Sequence, residues 1–457
     1  MSILNVNKIN PVGGGSTITI AGIASVTNNI SVGNSVTAGS FVGPIEGAVT
    51  GNVTGNVTGN ADTASGLSGN PSINTTGIVT ATSFVPTVGQ LSHRNILVNG
   101  DMRIAQRATT STSSGIHSVD RFGVWYDNVD EAPTQEQYVM NSGDTGPWES
   151  GFRNALKVTN GNQTSGAGAD DYIWIQQNLE AQDIANSGWN YLSTSSFITL
   201  SFWVKSSVAQ DFKCYLRSRD GTERQYPFST GSLTANTWTK IVKTIPGNSG
   251  LQFDNDVNQG LQINIGCFFG TNLTASGVTE NAWGSWSSTA RVPDMTSTWY
   301  TTNDAAFRIT GVQLEVGPVA TPFEHRSFGD ELARCQRYYY MHHNTSKTGT
   351  EGNYRVACLG FASQSTEVTG HIFFPVTMRA NPTLDANSGV VGGIGYWRIG
   401  GGVHGGDKYI DGAWTISSPS TRSTRIYATP RASLTNGATG YIDGRNNASY
   451  MAFNAEL

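Results

Sequence analysis

Ten short runs between residues 95 and 317 mix apolar with polar side chains and are parted by Gly, Asn, Ser, Thr and Pro: "NILVNG", "DRFGVWYD", "QYVMN", "ALKVTN", "DYIWIQQNL", "FITLSFWVKSS", "FKCYLRS", "TWTKIVKTI", "LQINIGCFF" and "FRITGVQLEVG". A period of two sends successive side chains to opposite faces of an extended chain, and helical spacing is nearly absent. Short strands at close intervals predict an antiparallel β-sandwich or jelly roll over residues 93–326 within an all-β protein. All eleven tryptophans lie beyond residue 124, nine of them between Trp125 and Trp299, so this domain has the bulk for a core of its own.

Residues 1–92 are different in kind. The first ninety hold three charged side chains (Lys8, Glu46, Asp62), two aromatics (Phe41, Phe84) and 21 Val or Ile. Val-Thr-Gly-Asn occurs three times running from Val49, and "VTAGSFVGP" from Val36 is echoed by "VTATSFVPT" from Val79, 43 residues on. Repetition of this kind marks a stacked, quasi-one-dimensional structure. A strand-rich segment without large side chains is dried by copies of itself, so a thin glycine-rich β shaft in a homotrimer is expected. A disordered linker is the rival reading of the same Gly, Ser, Thr and Asn content.

The surface is solvated by Asn, Thr, Ser and Gly, since only 13% of residues are charged. A net charge of −5 and the lack of any Lys/Arg run argue against nucleic-acid binding. Four scattered cysteines form neither a zinc signature nor a disulfide framework and read as small apolar residues in a reduced chain. The opening "MSILNVNKIN" lacks a secretory pattern, and no run of 18 apolar residues follows, so membrane insertion is not expected.

"SFGDELARCQRYYYMHH" opens the third zone. Ser327 or Asp330 can cap a linker helix over 327–340 whose stripe runs through Leu332, Cys335 or Gln336, and Tyr339. Residues 341–457 follow as a β tip domain, with strand runs "YRVACLGFA", "VTGHIFFPV" and "TRIYATP" and a glycine-rich stretch from Gly389 to Trp414. The adjacent His342 and His343 point opposite ways on a strand and cannot chelate one metal there.

Several phrases occur together and in order: "NILVNGDMRIAQR", "VDRFGVW", "LSFWVKSS", "RITGVQLEVGPVATPFEHRS", "ELARCQRYYY" and "FPVTMRANPTL". In these the chain resembles tail-fibre and receptor-binding proteins of tailed bacteriophages, and its "VTGN" and "GIVTATSF" text is similar to fibres of marine cyanobacterial phages. The resemblance implies a homotrimeric fibre joined near its N-terminus to other virion tail or baseplate proteins, with C-terminal parts facing host polysaccharide or lipopolysaccharide. It also implies a virion location and a central domain like a jelly-roll carbohydrate-binding module. Such modules often hold a structural calcium on hard oxygen ligands, for which Asp101, Asp120 and Glu315 are the acids in the resembling segments. Ion pairs of Asp120 with Arg121 and of Glu315 with Arg308 are the competing reading.

Sugar recognition sets aromatic faces against the C–H side of the ring, with polar groups on the hydroxyls. Trp203 and Trp238 sit in strand text and read as core. Trp148, Trp283 and Trp286 lie among Gly, Ser, Pro and Asn, where ligand contact, subunit contact and local packing all stand open. Trp299 and Tyr300 precede the last sandwich strand, and Tyr396, Trp397, Tyr409 and Trp414 mark the tip; these complete the carbohydrate-contact candidates. Non-catalytic binding is expected. The alternatives are a structural or decoration fibre of capsid or baseplate without a receptor role, and a polysaccharide depolymerase. The last would need paired carboxylates, and Asp170 with Asp171, or Asp254 with Asp256, sit in turn-like text. No GxSxG, HExxH or phosphate loop is present.

Overall fold

The computed structural model describes residues 92–344, 355–388, 390–391, 394–401, 406–444 and 449–457. The expected shaft, residues 1–91 of the 1–92 segment, lies outside them. In chain order the first strands are β1 (Thr110–Ser111), β2 (Gly123–Asp127), β3 (Thr134–Val139), β4 (Asn154–Thr159), β5 (Tyr172–Glu180), β6 (Phe197–Ser206), β7 (Asp211–Ser218), β8 (Arg224–Ser232), β9 (Thr239–Pro246), β10 (Gln259–Phe269), β11 (Gly284–Ser285) and β12 (Ala306–Val316), with a short helix α1 (Ala181–Ala185) after β5. They form two antiparallel six-stranded sheets, ordered β1-β3-β4-β12-β6-β9 and β11-β8-β7-β10-β5-β2. From β4 to β10 the chain crosses between the two sheets at every step except the β7–β8 hairpin.

Period-two patterning builds the core. Ile198, Leu200, Phe202 and Val204 of β6 pack with Phe212, Cys214 and Leu216 of β7 and with Leu261, Ile263, Ile265 and Cys267 of β10, all buried in one cluster. On β12 the inward set changes parity, from Phe307 and Ile309 to Val312 and Leu314. The pairing with β6 slips between Thr310 and Gln313, and Gly311 takes up the extra residue at φ +62°. A β-carbon there would also stand 2.6 Å from the ring of Phe152.

Nine of the ten expected runs are strands. "NILVNG" is not one: the Asn95 side chain takes the amides of Leu97 and Leu314 at 3.1 and 3.0 Å and gives its own N–H to the Val312 carbonyl at 3.1 Å. These side-chain bonds replace a ladder and lay the segment along β12.

Helix α2 (Phe328–Gln336) is capped by Ser327, whose hydroxyl accepts from the Asp330 amide at 3.1 Å. Its buried residues are Glu331 and Cys335, which corrects the stripe expected through Leu332. The Glu331 carboxylate takes the Asn99 amide and, at 3.3 Å, Arg326. The helix stops short of 340 because the chain enters β13 at Tyr339.

The remaining strands are β13 (Tyr339–Asn344), β14 (Arg355–Gln364), β15 (Glu367–Phe373), β16 (Thr383–Ala386), β17 (Val390–Val391), β18 (Ile394–Gly395), β19 (Trp397–Gly400), β20 (Lys408–Ile410), β21 (Thr415–Ser417), β22 (Ser423–Ala428), β23 (Thr439–Gly444) and β24 (Tyr450–Asn454). A seven-stranded sheet, β20-β19-β23-β14-β15-β22-β21, and a three-stranded one, β13-β24-β16, share a core that includes Ile372, Trp397, Ile399, Ile426, Ile442 and Phe453.

A buried polar joint ties this region to the sandwich. Glu180 at the end of β5, with no exposed surface, accepts from both Nε and Nη2 of Arg337 at 2.7 Å and from the Tyr338 hydroxyl at 2.6 Å. The guanidinium of Arg121 lies 3.5 Å over the Tyr338 ring and pairs with Glu456, while that of Arg107 lies 3.6 Å over Tyr339. Arg379 donates to the carbonyls of Val257, Ala455 and Glu456. The phrases "MRIAQR", "VDRF", "RCQRYYY" and "MRANP" therefore meet at one joint.

Candidate functional site

Strand β5 turns Ile173, Ile175 and Leu179 inward and Tyr172, Trp174, Gln176 and Asn178 outward. The neighbouring strands repeat this, so the outer face of the β2–β11 sheet carries Trp125 opposite Trp174, and Gln176 opposite Asn264, which in turn is opposite Tyr215. The result is an aromatic belt. The rings of Tyr172 and Trp174 stack at 4.0 Å between centroids, Trp174 and Phe269 at 5.6 Å, and Tyr215 lies 6.0 Å from Phe269 and 5.7 Å from Trp286. Arg217 sits 3.7 Å over Trp286, and Arg291 lies 5.1 Å from Trp174 and 5.6 Å from Trp286. Polar groups run beside the belt, with Gln176 Nε2 donating to Asn264 Oδ1 at 2.8 Å. Burial pushes the Tyr215 hydroxyl up from its ordinary pKa, against the pull of Arg291 and Arg217.

At the β2 edge the belt ends in Trp125, 38% exposed. This ring also lines a cleft of about 510 Å³ bounded by Arg107, His117, Tyr339, Asp385 and Tyr450. The Tyr450 hydroxyl donates to Asp385 at 3.0 Å. His117 titrates below its ordinary range, chiefly through partial desolvation of its ring and also because Arg107 is near.

Of the expected sugar contacts, only Trp286 joins this surface. Trp283 is half-buried, donates to the Pro246 carbonyl at 2.8 Å and packs on Tyr226. Trp148 lies under Arg153, 3.8 Å away, in a satellite cluster with Trp203 and Trp238 on the outer face of the other sheet. Asp144 accepts from Trp238 Nε1 of that cluster at 3.0 Å, and from Tyr138 and Lys205. Trp299 and Tyr300 are fully buried, and the Tyr300 hydroxyl donates to Asp171 at 2.9 Å. At the tip, Trp397 is fully buried and meets Trp414, 8% exposed, edge to face at 5.8 Å. Tyr396 packs against the same core, and Tyr409 is partly covered by Arg431. Trp299, Tyr300, Trp397 and Trp414 are packed into cores and present no open face to a ligand, while Trp283 keeps part of its ring exposed.

The three acids expected at a calcium site stand in separate networks. Asp101 pairs with Arg103, Asp120 accepts from the Gln106 backbone and side chain and lies 3.8 Å from Arg107, and Glu315 accepts from Gln313 and Thr321. Burial pushes Asp120 above the usual carboxylate range. No group of three metal-ligating side chains is formed among the described residues. Of the paired acids weighed for catalysis, Asp171 and Asp256 hold turns, taking the Gly168 and Asn258 amides, and Asp170 accepts from the distant Asn272 side chain.

Trp125 and Trp174, which stand on this face, are not singled out by the sequence reasoning. The signal for Trp174 is its place between Ile173 and Ile175: if the isoleucines face the core, the tryptophan faces out.

No protein-family model matches the chain, and no curated protein does. Among solved structures it is similar to the enzymatically active domain of tailspike protein 4 of bacteriophage CBA120, at 12% identity and a TM-score of 0.26, over 49% of this chain and 21% of that one. It is also similar to the N-terminal cellulose-binding domain of Cellulomonas fimi β-1,4-glucanase C, at 10% identity and a TM-score of 0.24, over 47% of this chain and 98% of that one. A xylan-binding domain from Paenibacillus barcinonensis is matched at 11% identity and a TM-score of 0.24, over 52% of this chain and all of that domain.

Proposed function

We propose that the protein binds glycans, without catalysis, on the outer face of the β2–β11 sheet, and that it does so as a fibre of a phage virion attaching to host-surface polysaccharide. The observation that carries the binding reading is Trp125: an indole left more than a third in water, across from Trp174 and at the mouth of a polar cleft. The attachment role rests on the fibre-like phrases, and joint use of several weak sites would give lasting adhesion. Trp125→Ala is expected to weaken oligosaccharide binding by about 10- to 100-fold, the loss of one stacking contact, while the thermal midpoint stays within about 2 °C. Unchanged binding on a glycan array would overturn the assignment.

We also propose that copies of the chain associate through the outer face of β14 and β15. Leu359, Phe373, Val356 and Phe361 are 80, 74, 56 and 45% exposed there, beside a groove floored by Gly360, Gly370 and Gly440. The charges on this face are matched within it, Arg425 pairing with Glu367 at 2.6 Å, so an identical surface can approach without an unpaired like charge. Leu359→Glu with Phe373→Glu is expected to lower the mass found by sedimentation to that of fewer chains, with the circular dichroism spectrum retained.

A further inference from the structure

We infer that the glycan taken by this belt is acidic, carrying carboxylate or sulfate groups; the inference rests on the binding reading above. At the Trp286 end of the belt guanidiniums outnumber carboxylates, while Lys213 further along β7 is paired with both Asp211 and Glu280. Arg291, which donates its Nε–H to the Ser288 carbonyl at 3.0 Å, has no carboxylate within ion-pair distance among the described residues. Asp294, three positions along the same loop, is engaged by the Thr274 hydroxyl at 2.8 Å. Arg217 and Arg219 share a single acid, Glu223. Arg291 is held between two indoles, so its guanidinium is positioned over the belt and not swung into solvent.

In the rows formed by Trp125 with Trp174 and by Gln176 with Asn264 and Tyr215, the buried polar atoms without a partner are Asn264 Nδ2 and Trp174 Nε1, and both are donors. Asn178 Oδ1, an unpartnered acceptor on the same strand, lies a row further on, where its amide nitrogen turns to the Leu457 carbonyl. Asn264 is fully buried and Trp174 Nε1 has no exposed surface, so what the platform offers a ligand is the guanidiniums of Arg217 and Arg291, which suit acceptor oxygens and negative charge. The chain as a whole carries −5, so a preference for anions has to come from this local surface and not from net charge.

The test is an array that pairs neutral glycans with sulfated and uronic-acid counterparts of the same backbone, probed with the full-length protein. Acidic members are expected to bind about tenfold or more tightly than their neutral partners, the worth of one charge-assisted hydrogen bond. Arg291→Gln should erase the preference and Arg291→Lys should restore part of it, while Trp125→Ala weakens acidic and neutral members alike. Equal binding of both classes that is still lost in Trp125→Ala overturns the acidic preference and leaves the site standing. A preference that survives Arg291→Gln is diffuse attraction and overturns it too. Failure of the wild-type protein to bind any member overturns the site itself.

Discussion

Arg337→Ala is expected to lower the stability of the joint by about 3–5 kcal/mol, the loss seen when one member of a buried ion pair is removed. The reason lies on the Glu180 side. This carboxylate has no exposed surface; it accepts two bonds from Arg337, one from the Tyr338 hydroxyl and one from the Gln182 side chain at 2.6 Å, and Arg337 is the one cation among these donors. Burial by itself raises the pKa of Glu180, but the bonds from Arg337 and Tyr338 outweigh it and hold the group below the usual glutamate range. A depressed carboxylate contributes stability above its unfolded value, and that contribution fades as pH falls through the folded value, below the ordinary range near 4.3. Without Arg337 the burial effect is opposed only by the Tyr338 and Gln182 hydrogen bonds, so the depression of Glu180 shrinks and the variant loses less stability on acidification than wild type. Calorimetric midpoints of the two proteins should therefore converge as pH is lowered. Replacing both partners, Glu180→Leu with Arg337→Met, should cost less than Arg337→Ala alone. A double replacement as costly as the single one would show that the pair supplies net stability and not only neutralisation.

This joint also explains what could be read in advance. The phrases that resemble phage fibres were legible as text, but their common reason is visible only in three dimensions: arginines and tyrosines from residues 103–121, 334–340 and 379 converge with the C-terminal residues. No periodicity encodes that convergence, because it is made of side chains reaching between sheets. The sandwich itself was legible, since inward Ile, Leu, Phe and Val alternate cleanly on β5, β6, β7 and β10. Strand β8 escaped notice because "RQYPFSTGS" contains Pro227 and Gly231, which normally punctuate strands. Two-residue strands such as β1 and β11 carry no pattern at all. The binding face was less legible. A tryptophan flanked by Gly and Ser looks exposed in sequence, yet Trp283 finds Pro246 and Tyr226 through tertiary contact, while Trp125, in strand text, stands 38% exposed on the last strand of its sheet.

Trp299→Ala is expected to cost about 3–5 kcal/mol of sandwich stability, the range for deleting a large aromatic from a packed interior. The ring is fully buried, sits edge to face with Phe307 at 6.5 Å and belongs to the same cluster as Phe268 and Tyr300, which stack at 4.3 Å. Its backbone is fixed as well, the amide donating to Gln210 at 2.9 Å, while the Tyr300 carbonyl next to it accepts from Asn160 at 2.5 Å. Collapse around the gap is therefore restricted, and restricted collapse is what places a substitution at the costly end of the range. Set beside Trp125→Ala, the variant separates the two uses of the same side chain: one should lower the urea midpoint without weakening glycan binding by the folded fraction, the other the reverse. Were Trp299→Ala to leave the midpoint within about 0.5 kcal/mol of wild type, the packing assigned to the 297–307 segment would be wrong. Tryptophan would then have to be re-examined as a ligand contact on that side of the sandwich.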